Sequence, residues 1–526
     1  MRIDAVRPLP VRTAITRTRI IDGSGGAEYA GDVVLEDGRI SRILPAGAFI
    51  EDGGTLVIDG SGLVTCPGFI DMHGRSEPTL PTDPAHHAAL TQGVTTQVLG
   101  QDGFSLAPHG EAPESLAPLS WPSVGQFLDG IDEGTGANVA CLVPLGTVRE
   151  VAMRGVEDAS VAEMIAAQAR AIADALEQGA VGMSSGPEHD PEPRATAAEL
   201  EALGTAIAAC GGYWSTEHDP NHGTVLEAVA GSIAVAAKTG ASLHLAHLRL
   251  DAGASMGTVA ELLAMLDAAL DAGVDLGCGS HPYLEGHGLL SSLLPSWARE
   301  GHAADILARL DDADAVARIR AEVQADPNID WKAVSIASVG SAQLSMLVGQ
   351  DITRIAAIQS TDVVTTFLRI LGADELATGI LHRTGNEENL RAIVGHRSHC
   401  GSGPGVPVAA AHPGTWGAFP RFLARYAGDA GPMDMPGMIH QLTGRPAARL
   451  GLAGRGVLAE GNAADVLVFA PDVIIDRATF ADPRQPAAGI KHVFVNGVAA
   501  VSEHLPTSAL AGRALRRSAK GRTQST

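Results

Sequence analysis

Side chains of the kind that bind divalent metals follow four of the short apolar segments in the middle of the chain. His73 comes with the first segment and Asp102 after the second, while Glu217 and His218 end the fifth and His247 ends the sixth. Neutral imidazole nitrogens and carboxylate oxygens bind a divalent ion at about 2.0–2.2 Å when neighbouring elements bring them together. These four positions therefore predict a metal site, provided that the segments are strands of one sheet.

The apolar segments alternate with alanine-rich, helix-like segments, and eight of them can be counted as strands. They lie at residues 68–74, 95–100, 138–146, 180–186, 212–218, 242–247, 274–283 and within 392–403. This order predicts an α/β fold, a (β/α)8 TIM-like barrel, over residues 67–450 with a long insertion at about 284–390. In such a barrel the functional side chains lie at the carboxyl ends of the strands, which is where the metal-type residues occur.

Both ends of the chain read as short strands broken by glycine turns. Asp37-Gly38 and Asn496-Gly497 are hairpin signals, one at each end. We therefore expect a small β domain, a β-sandwich, built from residues 1–66 and 451–515. The basic, polar residues 516–526 are expected to form a disordered tail.

Composition narrows the class of protein. The chain has 526 residues and a formal net charge of −23, which disfavours nucleic-acid and anionic-membrane partners because both are polyanions. Its five cysteines are scattered and form no CxxC pair, so a disulfide scaffold is not expected. Because the sequence has neither an apolar leader nor a run long enough to span a membrane, we expect a cytoplasmic protein.

Several motifs resemble the amidohydrolase superfamily, and specifically its D-aminoacylase (N-acyl-D-amino-acid deacylase) branch. The segment CPGFIDMHGRSE (66–77) resembles the motif of the family's first strand, and QGVTTQVLGQDGFSLAP (92–108) resembles the block around the second. HPGTWGAFPRFLARY (412–426) and LTGRPAARLGL (442–452) resemble the carboxyl-terminal blocks. The resemblance covers about residues 15–515. It implies hydrolysis of an N-acyl amide, in which a metal polarises the carbonyl and activates water while an aspartate after the last strand moves protons.

The metal-binding positions of the family are partly changed in this chain. Where the family has His-x-His in the first strand, this chain has His73 and Arg75, and arginine cannot be a ligand. Asp102 stands where known members have cysteine. The fifth-strand histidine matches Glu217 or, with a shift of one residue, His218, and the sixth-strand histidine matches His247. The resemblance still implies a site for one divalent metal, with zinc as the expected ion.

A second kind of metal site within the superfamily is not expected. Hydantoinase-like members bridge two metals with a carboxylated lysine at the end of the fourth strand, where this chain has Ser184 and Ser185. Lys238 lies in a helix-like segment and Lys332 in the insertion. We therefore expect no carboxylated lysine.

The proton-transferring aspartate of the family is also missing. The last strand reads HRSHCGSGPGVP (396–407), and the position of the aspartate falls on Gly403 or Pro404. His396 and His399 are the candidate replacement bases, because imidazole titrates near neutrality.

The residues that would hold the substrate are partly retained. Tyr283 and Arg391 match the family's tyrosine and arginine for the substrate carboxylate, and Arg391 could also be a solvated residue of an amphipathic helix. Arg75 is a further substrate-binding candidate, since it could stabilise an anion where a second metal would lie. His287 replaces a small hydroxyl residue of the family.

The sequence thus predicts a metal-dependent amidohydrolase that cleaves a linear C–N amide bond, with an N-acyl-D-amino acid as the substrate. Its partner would be a small molecule with a free carboxylate. The alternative is a homologue that has lost hydrolysis and acts as a binding or regulatory protein. Arg75 and the missing aspartate motivate that alternative.

Overall fold

The structure is a computed structural model of the chain. It describes residues 11–80, 82–108, 120–153, 160–186, 195–217, 224–250, 258–327, 329–405, 412–429, 431–517 and 523–525.

The strands in the described residues fall into a barrel, a β domain, an insertion and a terminal ribbon. In chain order they are β1 (Thr13–Ile20), β2 (Tyr29–Glu36), β3 (Arg39–Pro45), β4 (Leu56–Asp59), β5 (Val64–Pro67), β6 (Phe69–Asp71), β7 (Val94–Leu99), β8 (Asn138–Pro144), β9 (Gly182–Ser185), β10 (Tyr213–Thr216), β11 (Ser242–Leu245), β12 (Leu276–Ser280), β13 (Glu285–Leu289), β14 (Val334–Ser338), β15 (Gly379–Arg383), β16 (His399–Gly401), β17 (Val466–Phe469), β18 (Ile490–Val495), β19 (Val498–Ser502), β20 (Leu505–Pro506), β21 (Leu515–Arg517) and β22 (Thr523–Ser525).

The α-helices in the same residues alternate with the barrel strands or lie in the insertion. They are α1 (His87–Leu90), α2 (Val124–Glu133), α3 (Leu145–Met153), α4 (Val161–Glu177), α5 (Ala197–Cys210), α6 (Val225–Thr239), α7 (Val259–Asp271), α8 (Ala303–Asp311), α9 (Ala313–Ala325), α10 (Ile352–Ile358), α11 (Val363–Ala373), α12 (Glu387–Val394), α13 (Gly414–Tyr426), α14 (Met435–Leu442) and α15 (Gly444–Arg449).

The predicted barrel is confirmed. Eight parallel strands pair in the order β16-β12-β11-β10-β9-β8-β7-β6, so the sheet is closed except for the seam between β16 and β6. A side chain bridges that seam: the backbone N–H of Gly403, just after β16, donates to Oδ1 of Asp71 at the end of β6 (2.8 Å). The carboxyl ends of all eight strands therefore meet at one end of the barrel, where His73, Asp102, Glu217 and His247 lie.

Local sequence explains how the helices between strands begin. Four consecutive helices, α4 to α7, start with Ser or Thr followed three residues later by Glu. In each, the hydroxyl accepts from the backbone N–H of the Glu while the Glu carboxylate accepts from the backbone N–H of the capping residue. The capping residues are Ser160, Thr196, Thr224 and Thr258. This reciprocal capping satisfies two otherwise unpaired backbone donors and fixes the residue at which each helix begins.

The two chain ends form one β domain. Nine strands, β1 to β5 and β17 to β20, make a single sheet in which β17 pairs with β5. The sheet curls over its own core. As a result, the backbone N–H of Ile40 in the edge strand β3 donates to the carbonyl of Asn462, just before β17.

The insertion has its own core, packed between the antiparallel sheet β13-β15-β14 and helices α8 to α11. At the carboxyl end of the chain, β21 pairs with β22, and Arg516 lies 2.7 Å from Asp129 of α2. No helix in the described part of the chain is long and apolar enough to cross a bilayer.

A buried ion pair joins the β domain to the barrel. Arg455 pairs with Asp465, and both side chains are only 6% exposed. The same carboxylate accepts from Nδ2 of Asn138 in β8 and from the backbone N–H of Asn496. Removing the cation would leave Asp465 buried with no opposite charge beside it.

We therefore expect Arg455→Ala to lower the free energy of unfolding by about 3–5 kcal/mol. Urea unfolding followed by circular dichroism measures the change. Arg397→Ala is the matched control, because Arg397 pairs with Asp267 and Asp271 on the open surface and should change stability little. Equal effects of the two substitutions would contradict the role assigned to Arg455.

Candidate active site

Three metal-type side chains converge beyond the carboxyl ends of the barrel strands. They are His73 after β6, Glu217 after β10 and His247 after β11. Their ligand atoms all lie within 4.8 Å of one another. Nδ1 of His247 is 2.7 Å from Oε1 of Glu217, and Nε2 of His73 is 4.0 Å from the same oxygen. The two imidazole rings are stacked with their centroids 3.8 Å apart. This donor set, two nitrogens and a carboxylate, is one that divalent zinc accepts.

Asp102, which follows β7, completes the group. Its Oδ1 lies 2.7 Å from Nε2 of His73. Both atoms are buried, and among the described residues neither has a hydrogen-bond partner of acceptable geometry. Two buried polar atoms that approach each other without bonding are expected where both face a common cation. The residues present therefore fit a divalent metal.

The charges around this group shift two pKa values in opposite senses. Burial raises the pKa of Asp102, but the adjacent His73 and Arg75 outweigh it and hold that pKa well below its usual range. Burial lowers the pKa of His247, but the hydrogen bond to Glu217 and the charges of Glu217 and Asp102 raise it overall. Asp102 is thus ready as an anionic ligand.

The loop after β16 lies directly against the two histidines. A Cβ at Gly405, whose φ is +60°, would collide with the rings of His73 and His247. Glycine is required there because any side chain would occupy the metal-binding region. Gly403 stands where an aspartate was expected, and a Cβ on it would lie 2.8 Å from Oδ2 of Asp71.

Comparison with known proteins gives the family. A family model described as "Amidohydrolase family" matches residues 56–501. The chain is 33% identical to an N-acyl-D-glutamate deacylase of Alcaligenes xylosoxydans xylosoxydans over 95% of each chain. The chain belongs to the amidohydrolase family. A D-aminoacylase of the same organism is 29% identical, over 95% of this chain and 96% of that one.

Solved structures point to the same branch of this amidohydrolase family. The N-acyl-D-glutamate deacylase of Bordetella bronchiseptica, complexed with zinc and a phosphonate mimic of the tetrahedral intermediate, superposes with a TM-score of 0.81 at 28% identity. That match covers 96% of this chain and all of the other. A D-aminoacylase structure, reported for one-metal activation and second-metal attenuation at a binuclear centre, matches with a TM-score of 0.79 at 26% identity, over 97% of this chain and all of the other. These relatives place the amidohydrolase in the D-aminoacylase branch, among hydrolases of carbon–nitrogen bonds other than peptide bonds.

The fifth-strand position could be either of two residues. Glu217 is one of the converging side chains, whereas His218 lies outside the described residues. The positions of the described side chains therefore favour Glu217 as the metal ligand that follows β10.

The two candidate replacement bases lie at or before the amino end of β16. Nε2 of His396 is 3.3 Å from Asp267 of α7. His399 is fully buried, bonded to Oγ of Ser280 (2.7 Å) and to Gln441, and burial lowers its pKa to about 3. Neither histidine is among the side chains that converge with His73, Glu217 and His247.

The structure places the two candidate substrate-binding residues, Tyr283 and Arg391, in different surroundings. Tyr283 lines a cleft together with His247, and its hydroxyl donates to Asp476 (3.3 Å). Arg391 lies on α12, where its Nε donates to Glu387 one turn earlier (3.1 Å) and its Nη2 to the carbonyl of Arg425. The structure gives Arg391 the surface role that its helical pattern also allowed.

Three buried or half-buried residues in or beside this cleft were missed. The ring of His281 is 5.6 Å from that of His247, and burial holds its pKa well below the usual range. The ring of His412 is 5.2 Å from that of Tyr283, and burial lowers its pKa to about 3. Arg249 lines the same cleft and donates to the hydroxyl of Thr384 (2.5 Å). His281 and His412 both stand in motifs that were visible in the sequence, but their proximity was not.

Proposed function

We propose that this amidohydrolase is a metal-dependent hydrolase that removes the acyl group of an N-acyl-D-amino acid. The observation that carries the proposal is the convergence of His73, Glu217 and His247 at the carboxyl ends of the barrel strands, with Asp102 beside them. The substrate class is supported by similarity to an N-acyl-D-glutamate deacylase, a D-aminoacylase and an N-acyl-D-aspartate deacylase.

These four residues would hold one divalent ion, and zinc is the ion we propose. Such an ion supplies polarisation of the amide carbonyl and activation of water. A carboxylated lysine is not part of the proposal. The fourth barrel strand, β9, ends in Ser184 and Ser185, and Lys238 is on the surface beside Glu201 (2.6 Å).

We assign proton transfer to Asp71. Its Oδ1 is held by two backbone donors, the N–H groups of His73 (2.9 Å) and Gly403 (2.8 Å). Its Oδ2 points to the space that a side chain at Gly403 would fill, and the residue lines the same cleft as His73. A carboxylate from β6 thus takes the place of one from β16, and can accept a proton from water and return it to the leaving nitrogen.

The substrate carboxylate needs a cation or hydrogen-bond donors in the adjoining cleft. Arg249, two residues after His247, and the hydroxyl of Tyr283 are both there. Burial and the neighbouring Asp476 raise the pKa of Tyr283, so its hydroxyl stays protonated as a donor. We propose that Arg249 anchors the carboxylate and that Tyr283, whose hydroxyl donates to Asp476, packs against the substrate in the same cleft.

Arg249→Gln is therefore expected to raise KM about 10–100-fold with a smaller change in kcat, since a hydrogen bond to a charged group contributes about 1.5–3 kcal/mol. Initial rates against substrate concentration measure both constants. Arg391→Gln is the matched control and should leave both unchanged. A KM rise in the Arg391 variant alone would reverse the assignment.

The substrate class is tested with matched enantiomers. Zinc-loaded enzyme is given N-acetyl-D-glutamate, N-acetyl-D-aspartate and N-acetyl-D-leucine, each beside its L form, and release of free amine is followed. We expect hydrolysis of at least one D compound and little of its enantiomer. Turnover of L compounds only would contradict the proposal.

A binding or regulatory role is the second candidate, motivated by Arg75 and Gly403. It predicts that D compounds bind to the chain, as seen by calorimetry, without any release of amine. The assignment of Asp71 argues against it, because a carboxylate is still present beside the metal-binding residues.

A further inference from the structure

Arg75 lies beside the metal-binding residues, where family members with His-x-His place a second imidazole. We propose that its guanidinium replaces a second metal ion, so that this site accepts one divalent ion and excludes another. The inference rests on the proposed metal-dependent function and adds the number of ions that the site can take. It would free the enzyme from the second-metal attenuation reported for the D-aminoacylase structure.

Both carboxylate oxygens of Asp102 already face a neighbouring side chain. Its Oδ1 faces His73, 2.7 Å away, and its Oδ2 is ion-paired with Nη1 of Arg75. The side chains of Arg75 and Asp102 are 19% and 8% exposed. A carboxylate that bridges two ions through its two oxygens needs both of them, and here a covalently tethered cation holds one.

The charge around Arg75 also disfavours a second ion. Three carboxylates act on Arg75, those of Asp102, Glu77 and Glu217. Glu77 is 2% exposed and accepts from the backbone N–H of Gly100 (2.6 Å). The guanidinium already neutralises part of this negative charge. A second divalent ion would be placed beside a permanent cation in a buried site, where repulsion is weakly screened.

Gly403 and Pro404, which follow β16, have no side-chain donor that could bind a second ion. In the described part of the chain, His73, Glu217 and His247 are the only metal-type side chains that converge in a group of three or more.

The test is zinc binding at equilibrium rather than activity. Metal-free wild type, Arg75→His and Arg75→Lys are dialysed against rising zinc, and bound zinc per chain is measured by elemental analysis. Arg75→His removes the fixed cation and supplies an imidazole, whereas Arg75→Lys keeps the charge. We expect the wild type and the lysine variant to level at one zinc, and the histidine variant to take a second at high zinc.

Two zinc ions in the wild type would overturn the inference while leaving metal-dependent hydrolysis intact. No zinc in the wild type would overturn the inference and the proposed function together. If Arg75→His fails to fold, the wild-type plateau and the cobalt(II) spectrum of the wild type still decide between one ion and two.

Discussion

Replacing His247 with alanine is expected to remove bound zinc and to lower kcat/KM by about a thousandfold or more. His247 supplies a nitrogen to a three-residue cluster and hydrogen-bonds Glu217, so its loss removes a ligand and releases its neighbour. A metal contributes several kcal/mol of transition-state stabilisation, and each 1.36 kcal/mol is a factor of ten in rate. Steady-state kinetics and elemental analysis of the same preparation measure the two effects.

His396→Ala is the control for this prediction. His396 lies at the amino end of β16 beside Asp267, so the variant should keep its zinc and its kcat/KM. A His247 variant that retains both zinc and activity would show that the metal is held elsewhere. A His396 variant that loses activity but keeps zinc would return that histidine to the role that the sequence suggested.

Asp71→Asn is expected to lower kcat by about 10²–10⁴-fold with little change in KM, because it removes a proton-transferring carboxylate. Asparagine can still accept from the backbone N–H groups of His73 and Gly403, so the seam between β6 and β16 should stay closed. Single-turnover kinetics and zinc content separate loss of proton transfer from loss of metal.

Asp71→Ala and Asp267→Asn are the two comparison variants for this prediction. The alanine variant also opens the seam, and should lose zinc affinity as well as rate. Asp267 lies at the opposite end of the barrel, and its variant should behave as the wild type. If Asp71→Asn is fully active while Asp71→Ala is not, Asp71 is a positioning residue that fixes the Gly403 loop, and another group moves the proton.

The barrel and the positions of its metal-type residues could be predicted because each strand is a short apolar run that ends in a polar residue. His73, Asp102 and His247 follow strands of one parallel sheet, so their convergence is a consequence of strand order. The sequence left Glu217 and His218 open, because a shift of one residue turns a side chain to the opposite face of a strand. Of the two, the structure describes Glu217, which lies in the cluster with His73 and His247.

The surroundings of His396 and His399 could not be predicted, because the end of a strand that a residue occupies depends on where the strand starts. β16 begins at His399, so both histidines lie at or before its amino end. The role of Asp71 depends on a contact with Gly403 across 332 residues. The ion pair of Arg75 with Asp102, 27 residues apart, also could not be predicted from the sequence, although arginine at position 75 was an evident departure from the family.

The most direct test of the central claim is the rate of deacylation as a function of zinc bound per chain. Metal-free enzyme, prepared with a chelator, is titrated with zinc while amine release from an N-acyl-D-amino acid and bound metal are measured together. The account predicts no activity without metal, and a rate that rises in proportion to bound zinc and levels at one ion per chain. Full activity in the metal-free protein, or a rate that stays at zero when one zinc is bound, would contradict it.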